Sequence, residues 1–406
     1  MKRAVSLLCS IAILFVLGAG AAGAARAAEP ESALTLTFSE IEGLVTKGNP
    51  TIRNNEATII NLDNPYEIDE MIIALTLSYN SLHALAREAR VILGQLMAAG
   101  GEGDPDPAPD PVREGLILVL RNDIAAYERD MAQIMAQLDQ VYISPRPSFD
   151  KAAQQLGNAN KLIVCGAESL FITCHALSRQ LEQSGDNLKA LSGTIKIMEL
   201  RLSLGMISAL SLAGPRAEYA QLELSIAGLE NNLRSLHGQI NLLLGRAHGA
   251  PLQIGELPSA ARGFLKTVDR ERDLRAAKNN NHLINIAKID IDELSRQTGN
   301  NARRQEAIAR NNLDGETREV ELRYENMTKA IAGREVELVL AEGRLAQSKR
   351  VLEETAKRHK LGLVPKIALT QAESDVFRQE ISVKAADAEL FAAIRRYEWL
   401  VRGVNS

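Results

Sequence analysis

The stretch RLSLGMISALSL, Arg201 to Leu212, is repeated in outline by RHKLGLVPKIAL, Arg358 to Leu369. Both read R-x-x-L-G, with Leu or Ile five residues after the glycine and Leu seven after it, and corresponding positions lie 157 residues apart. A duplicated element constrains the fold strongly, because both copies need equivalent settings. The doubling continues downstream, in AEYAQLELSIAGLENNLRSLHGQINLLLG and AESDVFRQEISVKAADAELFAAIRRYEWLVRG. Gly205 to Gly245 is 40 residues and Gly362 to Gly403 is 41. Each arm ends at a glycine, a usual helix stop. Upstream, TFSEIEGLVTKGNPTI has a partner in TVDRERDLRAAKNNNHLI, which aligns Leu44 with Leu274 and Asn49 with Asn280. The order is short helix, Asn-rich break, long helix, R-x-x-L-G turn and long helix, twice over.

Aromatic residues make up only 4% of the chain, while Ala, Leu, Glu, Arg, Gln and Asn abound, a balance that favours long helices over sheet. The two copies differ in the middle, with 152 residues from Ile52 to Leu204 against 78 from Leu283 to Leu361. The surplus contains an acidic, Pro-rich loop, GGEGDPDPAPDP, and a second break at SPRPS. Helical pieces are therefore expected at about Asp63 to Ala98, Val112 to Val141 and Phe149 to Leu204. In the second copy Ile331, Leu338, Leu345 and Leu352 recur every seven residues, with Ala341, Ser348 and Thr355 offset by three. Large residues alternating with small ones at a 3.5 period predict a coiled coil. The expected fold is all-α, two tandem repeats of long antiparallel coiled-coil hairpins. Repeat one covers 28–249, with its Pro-rich loop at 100–111; a Gly/Pro connector covers 250–263, and repeat two covers 264–406.

Residues 1–27 read as a secretory signal peptide: Lys2 and Arg3, an apolar run from Ala4 to Leu17, and an A-x-A site at Ala25 to Ala27. The sequence thus predicts export to the cell envelope. Without Lys2, Arg3 and Arg26, 44 basic residues stand against 51 acidic, a formal charge of −7 that gives no support to a nucleic-acid partner. Cys165 and Cys174 are too few for a disulfide framework and read as small buried apolar residues. The six histidines are scattered without zinc spacing, and no phosphate-binding, dinucleotide or nucleophile-elbow motif occurs. The expectation is a non-enzyme without cofactor or metal.

Taken together, these residues resemble the TolC-like outer-membrane efflux proteins, in which R-x-x-L-G marks the turn of each coiled-coil hairpin. The match rests on Arg201, Leu204, Gly205 and Ser208, and on Arg358, Leu361, Gly362, Leu363 and Val364. TQAES follows the second turn, KGNP stands near the first helix, and INLLLG ends the first repeat. The resemblance implies a homotrimeric tube whose hairpin tips form a rim for a periplasmic adaptor, energised by an inner-membrane pump. Gly at each turn would supply φ > 0, the leucines would seat in the partner, and the Arg would face the exposed carbonyls at the helix end.

Two departures limit the likeness. Ser211 and Ala368 stand where an Asp often closes the periplasmic mouth in the family, so an acidic gate is not carried over. The family also inserts two membrane strands per repeat, each needing about 9–11 residues of apolar alternation. In repeat two the corresponding stretch, Leu294 to Lys329, is charged and helical in pattern; in repeat one GLILVL and KLIVCGAESLFITC are apolar but continuous with helical pattern. Asp314-Gly315 is expected to mark a helix-to-helix connection in place of a barrel hairpin. The leading expectation is a passive efflux conduit, and the alternative an exported coiled-coil scaffold that has lost its barrel. Membrane association stays open between them.

Overall fold

Leucine-rich arms bounded by glycine stops set the architecture, and the computed structural model describes it over residues 32–61, 68–98, 111–140, 145–297 and 299–405. The signal-peptide segment and the Pro-rich loop up to residue 110 lie outside the described residues. Repeat one begins with strand β1 (Leu34–Leu36) and continues through helices α1 (Ile41–Gly48), α2 (Pro50–Asn61), α3 (Ile68–Ala98), α4 (Pro111–Gln140), α5 (Pro145–Ser203) and α6 (Ala213–Leu243). The remainder comprises β2 (Leu252–Ile254), α7 (Phe264–Thr267), α8 (Arg270–Asn280), α9 (His282–Ser295), α10 (Asn300–Lys360) and α11 (Lys366–Val401). β1 and β2 pair in parallel, Leu34 opposite Leu252, and tie the connector to the start of the chain.

In chain order α1, α2, α5 and α6 correspond to α8, α9, α10 and α11. The hairpin α3–α4 has no counterpart and accounts for the surplus length of repeat one. Asp314 and Gly315 are not a connection: they lie inside the 61-residue α10, where the Asp314 carboxylate takes Arg318 one turn on, at 2.6 Å. The connection falls earlier, between Ser295 and Asn300, where Gly299 has φ 131°. The break residues also sit one position from the sequence alignment. Asn49 is matched by Asn281, not Asn280, since the Oδ1 of each accepts from the two amides that open the next helix. A capping side chain defines the break, and a neighbouring asparagine in the run NNN obscured which one caps.

The hairpin α10–α11 packs as the heptad predicts, with Ile331, Leu338 and Ala341 buried and Leu345, Ser348, Leu352 and Thr355 half-buried. A second heptad runs through repeat one. On α5 the inward positions are Leu188, Leu191, Ile195, Met198 and Leu202; Leu212, which caps α6, begins the facing set, and on α6 it continues through Tyr219, Leu222, Ile226, Leu229, Leu233, Leu236 and Ile240. Ion pairs bridge the hairpins at Arg216–Glu199, 2.8 Å, and Lys349–Glu380, 2.9 Å.

The apolar part of α5 is the one stretch among the described residues long and apolar enough to cross a membrane, but 67% of that window is buried inside the protein. It forms the core, with Phe171 wholly enclosed and in edge contact with Phe38, whose ring also meets Phe391. Cys165 and Cys174 are both buried there, and burial pushes the Cys174 thiol up to about 12, which fits a packing role. Residues nine apart lie about half a turn out of phase, and both are buried because α5 is surrounded by α1, α2, α3, α4, α9 and α11. The stretches 115–120, 161–174 and 300–331 are all helical.

Each repeat closes on itself through one kind of cap. After α6 the Gly245 amide donates to Leu242 O and the Arg246 amide to Asn241 O, at 3.0 and 2.8 Å. After α11 the Gly403 amide donates to Leu400 O and the Val404 amide to Trp399 O, both at 2.9 Å. These are Schellman caps, with glycine at φ 71° and 90°. The capped ends press on the Asn-containing breaks: Asn49 Nδ2 donates to Leu243 O at 3.1 Å, and Asn280 Nδ2 to Val401 O at 2.9 Å.

Candidate functional site

The same cap builds both tips. At the end of α5 the Gly205 amide donates to Leu202 O and the Met206 amide to Arg201 O; at the end of α10 the Gly362 amide donates to His359 O and the Leu363 amide to Arg358 O, all at 2.9 Å. Gly205 and Gly362 have φ of 71° and 72°. The shared spacing inside R-x-x-L-G is thus the spacing of the cap, the backbone carbonyl of the Arg receiving the amide just past the glycine. A β-branched residue at either glycine would be held in the left-handed region at a cost of about 1–2 kcal/mol, although space beside each Cα is open.

The Arg side chains do not play the expected part. The Arg358 guanidinium pairs with Glu354 at 2.9 Å, one turn back, and Arg201 is exposed. Shorter side chains reach the carbonyls there: His359 Nδ1 lies 2.9 Å from Val364 O, and Ser203 Oγ donates to Leu200 O at 2.7 Å. Longer basic side chains are solvated and drawn to nearby carboxylates; the short imidazole is held against the turn. Lys357 and Glu353 pair at 2.7 Å, and that hydrogen bond lifts the lysine pKa and lowers the glutamate's.

Beyond each glycine the chain turns extended once more before the return helix. Ser208 has φ −84° and ψ 156°, and Pro365 has φ −71° and ψ 158°, each preceding the next helical turn. Ser208 Oγ also reaches Ser211 Oγ at 3.2 Å. The register of apolar residues around the two glycines is the same. One before the glycine, Leu204 and Leu361 are 66% and 74% exposed; one after it, Met206 and Leu363 are 68% and 70%. Five after it, Leu210 and Ile367 are 82% and 67% exposed, whereas seven after it Leu212 is buried and Leu369 half-buried. Each tip therefore offers three solvated apolar side chains. Met206, Leu210 and Ile367 complete the set, and the shared Leu or Ile five residues past each glycine was the available signal for two of them.

Both tips point the same way. Lys161 Nζ donates to Arg402 O at 2.8 Å, and further along α5 Glu168 takes the Arg395 guanidinium at 2.6 Å, so residue numbers rise on α5 as they fall on α11. α5 is thus antiparallel to α11, as α10 is, and α5 and α10 run parallel. At 1.5 Å per residue, Gly205 lies about 55 Å beyond Glu168 and Gly362 about 50 Å beyond Arg395, so the tips end at nearly one level. Among the described residues no cluster of three His, Cys, Asp or Glu side chains could hold a metal ion.

No family model and no curated protein matches the chain. Among solved structures it is similar to the outer membrane protein VceC of Vibrio cholerae, with 12% identity and a TM-score of 0.48 over 91% of this chain and 97% of that one. It is also similar to the outer-membrane channel OprN, with 14% identity and a TM-score of 0.49 over 94% and 96%. The Campylobacter jejuni CmeC outer membrane channel gives 10% identity and a TM-score of 0.42 over 94% and 90%. Likenesses at this level leave the functional reading to rest on the residues of the chain itself.

Proposed function

We propose that this chain is an exported, TolC-like helical component of a cell-envelope transport assembly, which receives a periplasmic adaptor on its two hairpin tips. The observation that carries the reading is the matched pair of tips, level and co-directed, each with three exposed apolar residues in one register. Solvated leucines of this number on a rigid turn are poorly explained by folding alone and suit a partner's apolar pocket. In this reading the chain acts in a homotrimer as a passive conduit, with an inner-membrane pump supplying the energy.

Replacing Leu204, Leu361 and Leu363 together by serine should weaken adaptor binding at least tenfold, since buried anchors dominate such interfaces. Replacing Gly205 and Gly362 together by valine should abolish binding. Surface-immobilised adaptor would report both, and far-UV circular dichroism should show the long helices intact. Unchanged affinity in both variants would remove the docking role.

A second reading, a scaffold that docks or spaces partners without crossing a membrane, is favoured by the helical state of 115–120, 161–174 and 300–331, where a barrel-bearing relative would carry strands. Light scattering of the protein purified with and without detergent separates the two. A trimer obtained only in detergent supports the conduit, because an open backbone cannot cross lipid unpaired. A soluble particle in plain buffer supports the scaffold.

A further inference from the structure

Where the inserted helix α4 lies against α5, α10 and α11, a cavity of about 160 Å³ remains. Its apolar walls come from Leu116 and Val119 of α4, Ile172 and Ala176 of α5, and Ala385 and Ala388 of α11. Alanines leave the space that larger side chains would fill, and Gly115 on α4 packs near the Arg334–Glu389 pair for the same reason. The lining also includes Arg179, Arg334, Arg395 and Arg396 against only Glu168 and Glu389. Both carboxylates are already engaged, Glu168 by Arg395 and by the Trp399 indole N–H at 2.8 Å, and Glu389 by Arg334 at 2.6 Å. Arg179 and Arg396 form no salt bridge among the described residues, and Arg179 Nε is buried without a hydrogen-bond partner.

We infer that this cavity binds a small aromatic carboxylate, its ring between the alanine and aliphatic walls and its carboxylate on the Arg179 guanidinium. Three observations select that chemistry. The volume suits one ring, since apolar cavities of about 150 Å³ admit benzene. The lining carries four guanidinium groups, which do not lose their charge, against two carboxylates that are already paired, so an occupant that brings acceptors fits, and an anion best. A planar carboxylate matches a guanidinium in shape as well as charge. Burial lowers the Arg179 pKa, and the Glu389 and Asp387 carboxylates oppose that shift without cancelling it. The site depends on α4, which repeat two lacks, so it has no second copy. It goes beyond the proposed docking function and does not rest on it.

Trp399, the single tryptophan of the chain, lines the cavity and supplies the readout. Titrating the purified protein with benzoate should change its emission saturably, with a dissociation constant on the order of 1 mM for so small a ligand. Benzyl alcohol, similar in shape but neutral, should bind at least about tenfold more weakly, and Arg179→Gln should weaken benzoate by a similar factor. Ala388→Leu, which fills the ring site, should remove the response. Should Arg179→Gln fail to fold by circular dichroism, Arg179→Lys, which keeps the charge and loses the planar fork, should weaken benzoate severalfold in its place. The inference is overturned by a response that does not saturate, by equal binding of benzyl alcohol, or by benzoate affinity that survives the folded arginine variants.

Discussion

Gly403→Ala should destabilise the protein by about 3–5 kcal/mol, whereas Gly362→Ala should cost about 1 kcal/mol. The two glycines occupy the same cap geometry, at φ 90° and 72°, so the backbone strain of an added Cβ is comparable. Their surroundings differ. A Cβ at Gly362 meets nothing within 4 Å, while one at Gly403 would lie inside the van der Waals shells of the Asn280 carbonyl and the Asn281 amide. Those are backbone atoms at the opening of α9, held by the Asn281 cap, and no rotamer change relieves the overlap. Gly245 faces the same obstacle from the Gly48 carbonyl, so Gly245→Ala should behave like Gly403→Ala and Gly205→Ala like Gly362→Ala. Urea midpoints of the four variants check this, and equal losses at tips and closures would refute the claim that the closures hold each repeat together.

This contrast marks what the residues reveal before folding. The duplicated R-x-x-L-G, the equal arms and the heptad from Ile331 specify two hairpins, because cap spacing and a 3.5 period are local properties. The repeat-one heptad through Leu188, Ile195 and Leu202 was equally available, but Ala, Ser and Gly between its members diluted the pattern. Asp314-Gly315 has the form of a turn dipeptide, yet helix propensity on both sides prevails over it. Inside a long helix one glycine costs only about 1 kcal/mol, and i to i+4 pairs such as Asp314–Arg318 and Arg310–Glu306 help to offset it. The three apolar residues at each tip were partly legible, since their register repeats. The contact of KGNP with the end of the INLLLG arm was not, nor was the alanine-walled cavity: both depend on helices distant in sequence.

Distance in sequence also hides a buried proton, and its removal should produce the second large effect. Asp130 of α4 and His282 of α9 are 6% and 4% exposed, with Asp130 Oδ1 3.6 Å from His282 Nε2. Asn158 of α5 donates to the other carboxylate oxygen, while its own Oδ1 and both His282 ring nitrogens have no partner. Arg129 and Lys161 stand nearby, and Glu316, Glu319 and Arg323 of α10 face Arg129. Burial, against the Asn158 hydrogen bond and Arg129, pushes the Asp130 carboxyl up to about 7, and burial with Lys161 and Arg129 pushes His282 down to about 3. Near pH 5 the folded pair therefore carries its proton on Asp130, which can donate to a neighbouring acceptor, whereas the unfolded pair carries one on His282. Proton counts are equal, so this pair makes stability flat between about pH 4 and 6.5. His282→Gln should leave the Asp130 contribution alone: a raised folded pKa gives stability that is present at low pH and lost as pH rises from about 4 to 7. Asp130→Asn should leave the opposite slope, with stability lost as pH falls from about 6.5 towards 3. Each slope should approach about 1 kcal/mol per pH unit relative to the parent protein. Denaturant unfolding at half-unit steps of pH measures both, and two variants whose slopes match the parent's would show that Asp130 and His282 do not exchange the proton between folded and unfolded chains.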